Sequence, residues 1–186
     1  MTTLDNPHGD FDISKVSVWP SAMKYGGLPA LITFILGLVI YLAGLNDPAN
    51  PNPAMGCGIG CLSLAIYITG LVLGMKYHRD KELGGILPFG RGFGWGIAAS
   101  LIGGVVTAVG GLIQNLLIAP DALEEARDGM IKNAQPGQEE MMESIANVVT
   151  NPYLQPVLAI LFSVIFGGIV ALIVAAIMKK DPAPTA

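Results

Sequence analysis

Residues 74–96 read GMKYHRDKELGGILPFGRGFGWG and hold Lys76, Arg79, Lys81 and Arg91, four of the ten Lys and Arg residues in the chain. Long runs without a single charge lie on either side of this stretch. The whole sequence is 186 residues, 52% hydrophobic and 13% charged, with a mean hydropathy of +0.59. Water-soluble domains carry about a quarter charged residues, so lipid is the expected solvent for most of this chain. Basic residues crowded between two apolar blocks then have a direct reading, as a loop held on the cytoplasmic side of a membrane.

Working outward from that loop, four runs are long enough to cross a bilayer, which takes about 20 apolar residues at 1.5 Å rise each. They cover residues 26–45, 55–75, 93–118 and 156–178, and none contains Asp, Glu, Lys, Arg or His. Asn46 to Pro53 (NDPANPNP) breaks the first from the second, Pro120 stops the third, and Lys179-Lys180 closes the fourth. The first run is too long for the apolar part of a signal peptide. It is preceded by Asp5, Asp10 and Asp12, and no small-x-small cleavage site follows it. The expected fold is therefore all-α, a polytopic four-helix transmembrane bundle. A cytoplasmic arm covers residues 1–25, the membrane domain 26–178 and a cytoplasmic tail 179–186.

Orientation follows from counting cations. Lys15 and Lys24 precede the first run, four lie in the central loop and Lys179 and Lys180 follow the last, while the opposite side has only Arg127 and Lys132. The excess places both termini and the central loop in the cytoplasm. Trp19, Tyr25, Tyr77, Phe89 and Trp95 are expected at that inner interface, where amphipathic rings settle.

Helices in lipid associate by close packing and polar contacts, and the third run is suited to this. Gly92, Gly96, Ser100, Gly104 and Ala108 recur every four residues, with Gly103, Thr107 and Gly111 beside them. Ser163, Gly167, Ala171 and Ala175 repeat the device in the fourth run. Gly56 with Gly60, and Gly70 with Gly74, do so in the second. Whether such a row meets a helix of the same chain or of a second copy stays open at this point. Gln114 and Asn115, near the outer end of the third run, are expected to bond across helices or reach the headgroups.

Between the third and fourth runs, Asp121, Glu124, Glu125 and Asp128 share one helical face. After the break at Gln135-Pro136-Gly137, Met141, Ile145, Val148 and Val149 gather on one face, with Glu139, Glu140 and Glu143 elsewhere. Two short amphipathic helices, lying on the outer surface or capping the bundle, fit this pattern. The acidic row lacks EF-hand spacing and any histidine, so it reads as a solvated face.

Motif tests return little chemistry. His78-Arg79-Asp80 matches the opening of a kinase catalytic loop, but the Asn, glycine loop and DFG that must accompany it are missing. The segment GRGFG at residues 90–94 misses the dinucleotide-binding register. Cys57 and Cys61 share a helix face without ligand partners and read as small packing residues. His8, in the N-terminal arm, reads as solvated. No catalytic, cofactor or metal residues are assigned, and nothing in the charge pattern suggests nucleic acid. The loop residues Arg79 and Asp80 are expected to pin the loop, with Glu82 as an alternative partner for Arg79. Gly84-Gly85 allows a turn at positive φ.

The second run ends in Gly74-Met75-Lys76-Tyr77, followed by Arg79-Asp80 and Gly84-Gly85, and Phe89-Gly90 opens the glycine-rich third run that stops at Pro120. In this order the chain resembles, over residues 19–180, the bacterial four-helix membrane family called domain of unknown function 4199. The resemblance implies a bacterial inner-membrane protein and supplies no reaction, substrate or catalytic residues. The expectation for function is a non-enzymatic accessory or scaffold subunit, in contact with lipid and with itself or another membrane protein. The alternative is a small oligomeric transporter or channel lined by Gln114, Asn115, Ser100 and Thr107.

Overall fold

The computed structural model describes residues 15–45 and 52–181. His8, the acidic residues of the arm, residues 46–51 of the first turn and 182–186 of the tail lie outside the described residues. Four long apolar helices and two short ones make up the described chain. They are α1 (Trp19–Leu42), α2 (Pro53–Tyr77), α3 (Phe89–Ile113), α4 (Ala122–Lys132), α5 (Glu139–Val149) and α6 (Gln155–Met178).

Several boundaries differ from the apolar runs. Helix α1 starts at Trp19, ahead of residue 26, because Pro20 sits in the first turn, where a missing N–H costs nothing. The helix thereby carries Ser21 and Lys24 as part of its regular body. Asn52 caps α2, its Oδ1 accepting from the N–H groups of Ala54 at 3.0 Å and Met55 at 3.3 Å. Both α2 and α3 run on into one π-helical turn, His78–Glu82 and Gln114–Ile118 respectively.

The start of α1, the end of α2, the start of α3 and the end of α6 meet at one end of the bundle. A pair of backbone hydrogen bonds between Leu87 and Lys180, 2.8 and 2.9 Å, ties the central loop to the end of α6 there. This is the basic end; α4 and α5 occupy the other.

Helix α3 is the axis of the packing, with Gly92, Trp95, Gly96, Ala99, Ser100 and Gly104 all buried. Its small-residue row lies against α6 of the same chain. A Cβ added to Gly104 would sit 2.9 Å from Ser163 Cβ and 3.1 Å from Ile160 Cα, and one at Gly96 would collide with Ala171. The other side of α3 takes α1, where Gly26 comes so close that a Cβ would reach within 2.8 Å of Ala99 Cα. Gly111 meets no neighbour.

Helix α2 behaves differently along its length. Its buried residues are Gly70, Leu71, Gly74 and Met75, all towards the basic end. Gly70 lies beside Pro29 and the Tyr25 carbonyl, which has no N–H to receive at Pro29 because proline carries none. Further along, Gly56, Gly58 and Gly60 meet nothing within 4 Å, and Cys57 and Cys61 are exposed. The expected packing role of these residues is not met inside the bundle. The half of α2 nearer Pro53 diverges from its neighbours.

Candidate functional site

Among the described residues, the most heavily buried polar group forms where three helices meet at the basic end. Ser21 comes from α1, His78 and Glu82 from the π turn after α2, and Trp95 from α3; Ser21, His78 and Trp95 are all essentially excluded from solvent. The Ser21 hydroxyl donates to Glu82 Oε2 at 2.7 Å and accepts from Trp95 Nε1 at 3.0 Å. His78 Nδ1 pairs with the same Glu82 carboxylate and lies 3.2 Å from Ser21 Oγ. The carboxylate thus collects two donors, from Ser21 and from Nδ1–H of the imidazole, a tautomer fixed by the bonds it makes. The imidazole stacks on the Trp95 ring at a centroid distance of 6.2 Å. Gly74 leaves the room this requires, since a Cβ there would strike Trp95.

Serine, histidine and glutamate in contact invite comparison with a nucleophilic triad. The geometry here differs. A triad places the serine on one imidazole nitrogen and the acid on the other, whereas Ser21 and Glu82 share Nδ1, and Nε2 is buried with no partner. The arrangement joins three helices and is not that of a triad. Nearby, the Arg91 guanidinium donates to the Val16 carbonyl while its Nε stays buried and unpartnered.

The rest of the basic loop is peripheral to this group. Arg79 Nε donates to Asp80 Oδ1 at 2.7 Å, so Glu82, the alternative partner, is left to Ser21 and His78. Gly84 and Gly85 have φ of 62° and 89° and turn the chain back towards Leu87. Lys76 and Lys81 are exposed. Lys24 sits over the rings of Tyr25 and Tyr77, at 5.3 and 5.6 Å from their centroids. Trp95, placed by its sequence position at the lipid interface, is instead wholly inside the bundle because its indole N–H has Ser21 to bond.

A second polar group lies midway along the helices. Ser100 donates to the Gly96 carbonyl at 2.7 Å, so the Tyr67 hydroxyl, also at 2.7 Å, donates to Ser100. Ser163 donates to the Ser100 carbonyl at 2.8 Å. Gly167 makes the space for this pair, since a Cβ there would meet Ser100 Cβ at 2.7 Å. Beside the group, where α2 diverges, a cleft of about 510 Å³ opens between α1, α2, α3 and α6.

At the α4–α5 end, Asn115 donates to Gln155, linking the π turn after α3 to the start of α6. Arg127 bonds Asn147 at 2.7 Å and joins α4 to α5. Met141, Ile145, Val148 and Val149 are all exposed, and α5 buries Ala146 instead. The apolar face of α5 therefore does not cap the bundle. Ala108 is buried in the α3 row, whereas Thr107 faces the cleft. Among the described residues, no group of three or more His, Cys, Asp or Glu side chains is placed to hold a metal ion.

Sequence reasoning singled out Arg79, Asp80 and the glycines, offered Glu82 to Arg79, placed Trp95 at the interface, met His78 only in a rejected motif, and missed Ser21 and Tyr67. One signal for the basic-end group was available, since His78 and Glu82 stand four residues apart and so share a helical face.

Four helices long and apolar enough to span a bilayer, tied together by buried hydroxyl and imidazole groups, define a multi-pass membrane protein. Residues 24–180 match the model of a protein family of unknown function, DUF4199, and the chain belongs to that family. No curated protein and no solved structure matches it.

Proposed function

We propose that this protein is a non-enzymatic accessory or scaffold subunit of a bacterial cytoplasmic membrane, with both termini and the basic loop in the cytoplasm. In this reading it associates, through the diverging half of α2, with a second copy or with another membrane protein. The observation that carries the reading is the uncovered run of Gly56, Gly58 and Gly60 on that half. Helices in lipid gain stability from close backbone approach, and Gly92, Gly96 and Gly104 of α3 are already engaged with Ala175, Ala171 and Ser163 of α6. Gly56, Gly58 and Gly60 of α2 form an uncovered run of small residues, whereas the uncovered Gly94 and Gly111 of α3 stand far apart. The cation excess at the basic end supports the orientation.

Cys57 and Cys61 lie on the same half of α2 and are exposed, so they report on whatever sits there. A maleimide–benzophenone reagent attached to them in native membranes should give, on illumination, a covalent adduct with a second copy or a partner. The same species should copurify in mild detergent. A strictly monomeric protein with no adduct would overturn the reading.

A transporter reading has one favouring feature. Two cavities follow one another along α3 and α6, and a third lies beyond them between the π turn after α3, α4 and the segment before α6. Thr107 borders both the central cleft and a smaller cavity, Gln155 borders that smaller one, and its partner Asn115 borders a third beside Arg127. Ser100 lies outside this series, buried under Tyr67. Liposomes containing the purified protein should then pass a small neutral solute, and should lose that flux on Thr107→Phe substitution.

A further inference from the structure

We propose that the central cleft binds a lipid-soluble molecule that carries carbonyl oxygens on a compact ring and a hydrocarbon tail, the chemistry of an isoprenoid quinone. The inference is independent of the association reading above and rests on hydrogen-bonding groups left without partners inside hydrocarbon. Five hydroxyl-bearing residues border the cleft: Thr33, Ser63, Tyr67, Thr107 and Ser163. Tyr67 and Ser163 are occupied by Ser100, as described. The hydroxyls of Thr33, Ser63 and Thr107 make no hydrogen bond to the described protein. Helical hydroxyls usually turn back to the carbonyl one turn earlier, as Ser100 does to Gly96 and Thr150 to Ala146. These three residues line the cleft with their hydroxyls unbonded to the described protein.

Depth decides what satisfies them. Thr33, Ser63 and Thr107 each fall within about five residues of the midpoint of their continuous helical span, Trp19–Leu42, Pro53–Glu82 and Phe89–Ile118. The hydrocarbon layer is about 30 Å thick, so the phosphate and ester groups of ordinary lipids lie roughly 10 Å away, beyond reach of a hydrogen bond. An acyl chain filling the cleft would leave all three donors unpaired in a medium without water, an unfavourable state. An uncharged ring carbonyl enters hydrocarbon readily and accepts from Ser or Thr. Pro29, Phe162 and Phe166 supply apolar walls for such a ring. Phe162 and Phe166 are exposed towards the lipid side, so a tail has a way out. A volume of about 510 Å³ is in the range of small-ligand sites, about 300–1,000 Å³.

The test uses the full chain in nanodiscs of phosphatidylethanolamine and phosphatidylglycerol with two photoreactive probes. One is a decyl-tailed azidobenzoquinone, the other a diazirine-bearing alkane of similar length. The benzoquinone is expected to label saturably, at peptides covering residues 29–33, 60–67 or 162–166. In the Thr33→Val, Ser63→Ala, Thr107→Val triple variant its half-saturating concentration should rise about tenfold, from the loss of the weak hydrogen bonds that hydroxyls make inside a bilayer. Labelling by the alkane should not change. The replaced hydroxyls bond nothing in the protein, so the variant should keep the native melting temperature. Gly60→Phe, which fills the cleft from α2, should reduce labelling by both probes. If the benzoquinone labels without saturation, or labels the triple variant as well as the native chain, the cleft holds ordinary acyl chains and the proposal is overturned.

Discussion

The hydroxyl of Ser21 connects three side chains from two other parts of the chain. It donates to Glu82, accepts from Trp95 Nε1 and lies beside His78 Nδ1. Removing it leaves a buried indole N–H without an acceptor, a loss of about 1–3 kcal/mol. Ser21→Ala should lower the unfolding midpoint in detergent accordingly. Trp95→Phe should cost less in the Ser21→Ala background than in the native chain, because the indole has then already lost its acceptor. Equal costs in the two backgrounds, read as a double-mutant cycle, would mean that Trp95 acts through packing alone. Glycines offer a second contrast at this scale. At Gly104 a methyl group would press on Ser163 and on the Ile160 backbone, whereas at Gly94 it would enter open space. Gly104→Ala should destabilise by about 1–3 kcal/mol. Gly94→Ala should be neutral or add up to about 1 kcal/mol of helix propensity. Thermal melts of the two variants side by side check this.

At the scale of elements, α2 is two half-helices in its behaviour. Towards the basic end it is fixed by Tyr25, Pro29 and Trp95 against Gly70 and Gly74; towards the other end its glycines touch nothing. A Gly70→Ala, Gly74→Ala chain should melt well below the native protein. Gly56→Ala with Gly60→Ala should melt alongside it and show its effect only in cross-linking to a neighbour. The helix pair α4–α5 is a weaker unit, joined through Arg127 to Asn147 and Glu143 on an exposed face. Such contacts contribute less than about 1 kcal/mol. Arg127→Ala should therefore speed amide exchange in α4 and α5 while leaving the melting of the long helices unchanged. The long helices themselves were legible in the sequence, because uncharged runs of bilayer length have few other readings. Their starts were less so: hydropathy weighs Trp19, Ser21 and Lys24 as interface, while the backbone continues its helix through them. The basic-end group was not legible as a whole. Its members come from three places in the chain, Ser21 and His78 being 57 residues apart, and only the pair His78 and Glu82 is local. The cleft was hidden for a related reason, since the repeat of glycines along α2 is the same in the half that packs and the half that does not.

For the molecule as a whole, the two ends are chemically unlike. Eight of the ten Lys and Arg residues lie in the arm, the central loop and the tail, and Arg127 and Lys132 are left for the opposite side. The fold brings the central loop and the end of α6 into direct contact through Leu87 and Lys180, so the cations of loop and tail act as one patch. Each contributes roughly 1 kcal/mol of attraction near an anionic leaflet, which biases insertion one way. Reporter domains inserted at residue 50 and at residue 135 are therefore expected to fall in the same compartment, opposite to a reporter at the C-terminus. Exchanging Lys76, Arg79 and Lys81 for Gln should raise the fraction of inverted chains, because it removes the largest local share of that bias. The Arg79–Asp80 pair would be lost with it, but exposed pairs of this kind contribute little to stability. Inversion without a change in melting temperature would thus separate the role of the loop in orientation from that of the buried Ser21, His78 and Glu82 in holding the helices together. If the reporters at 50 and 135 appear on different sides, one of the four long helices does not cross the membrane, and the common basic end has no physical basis.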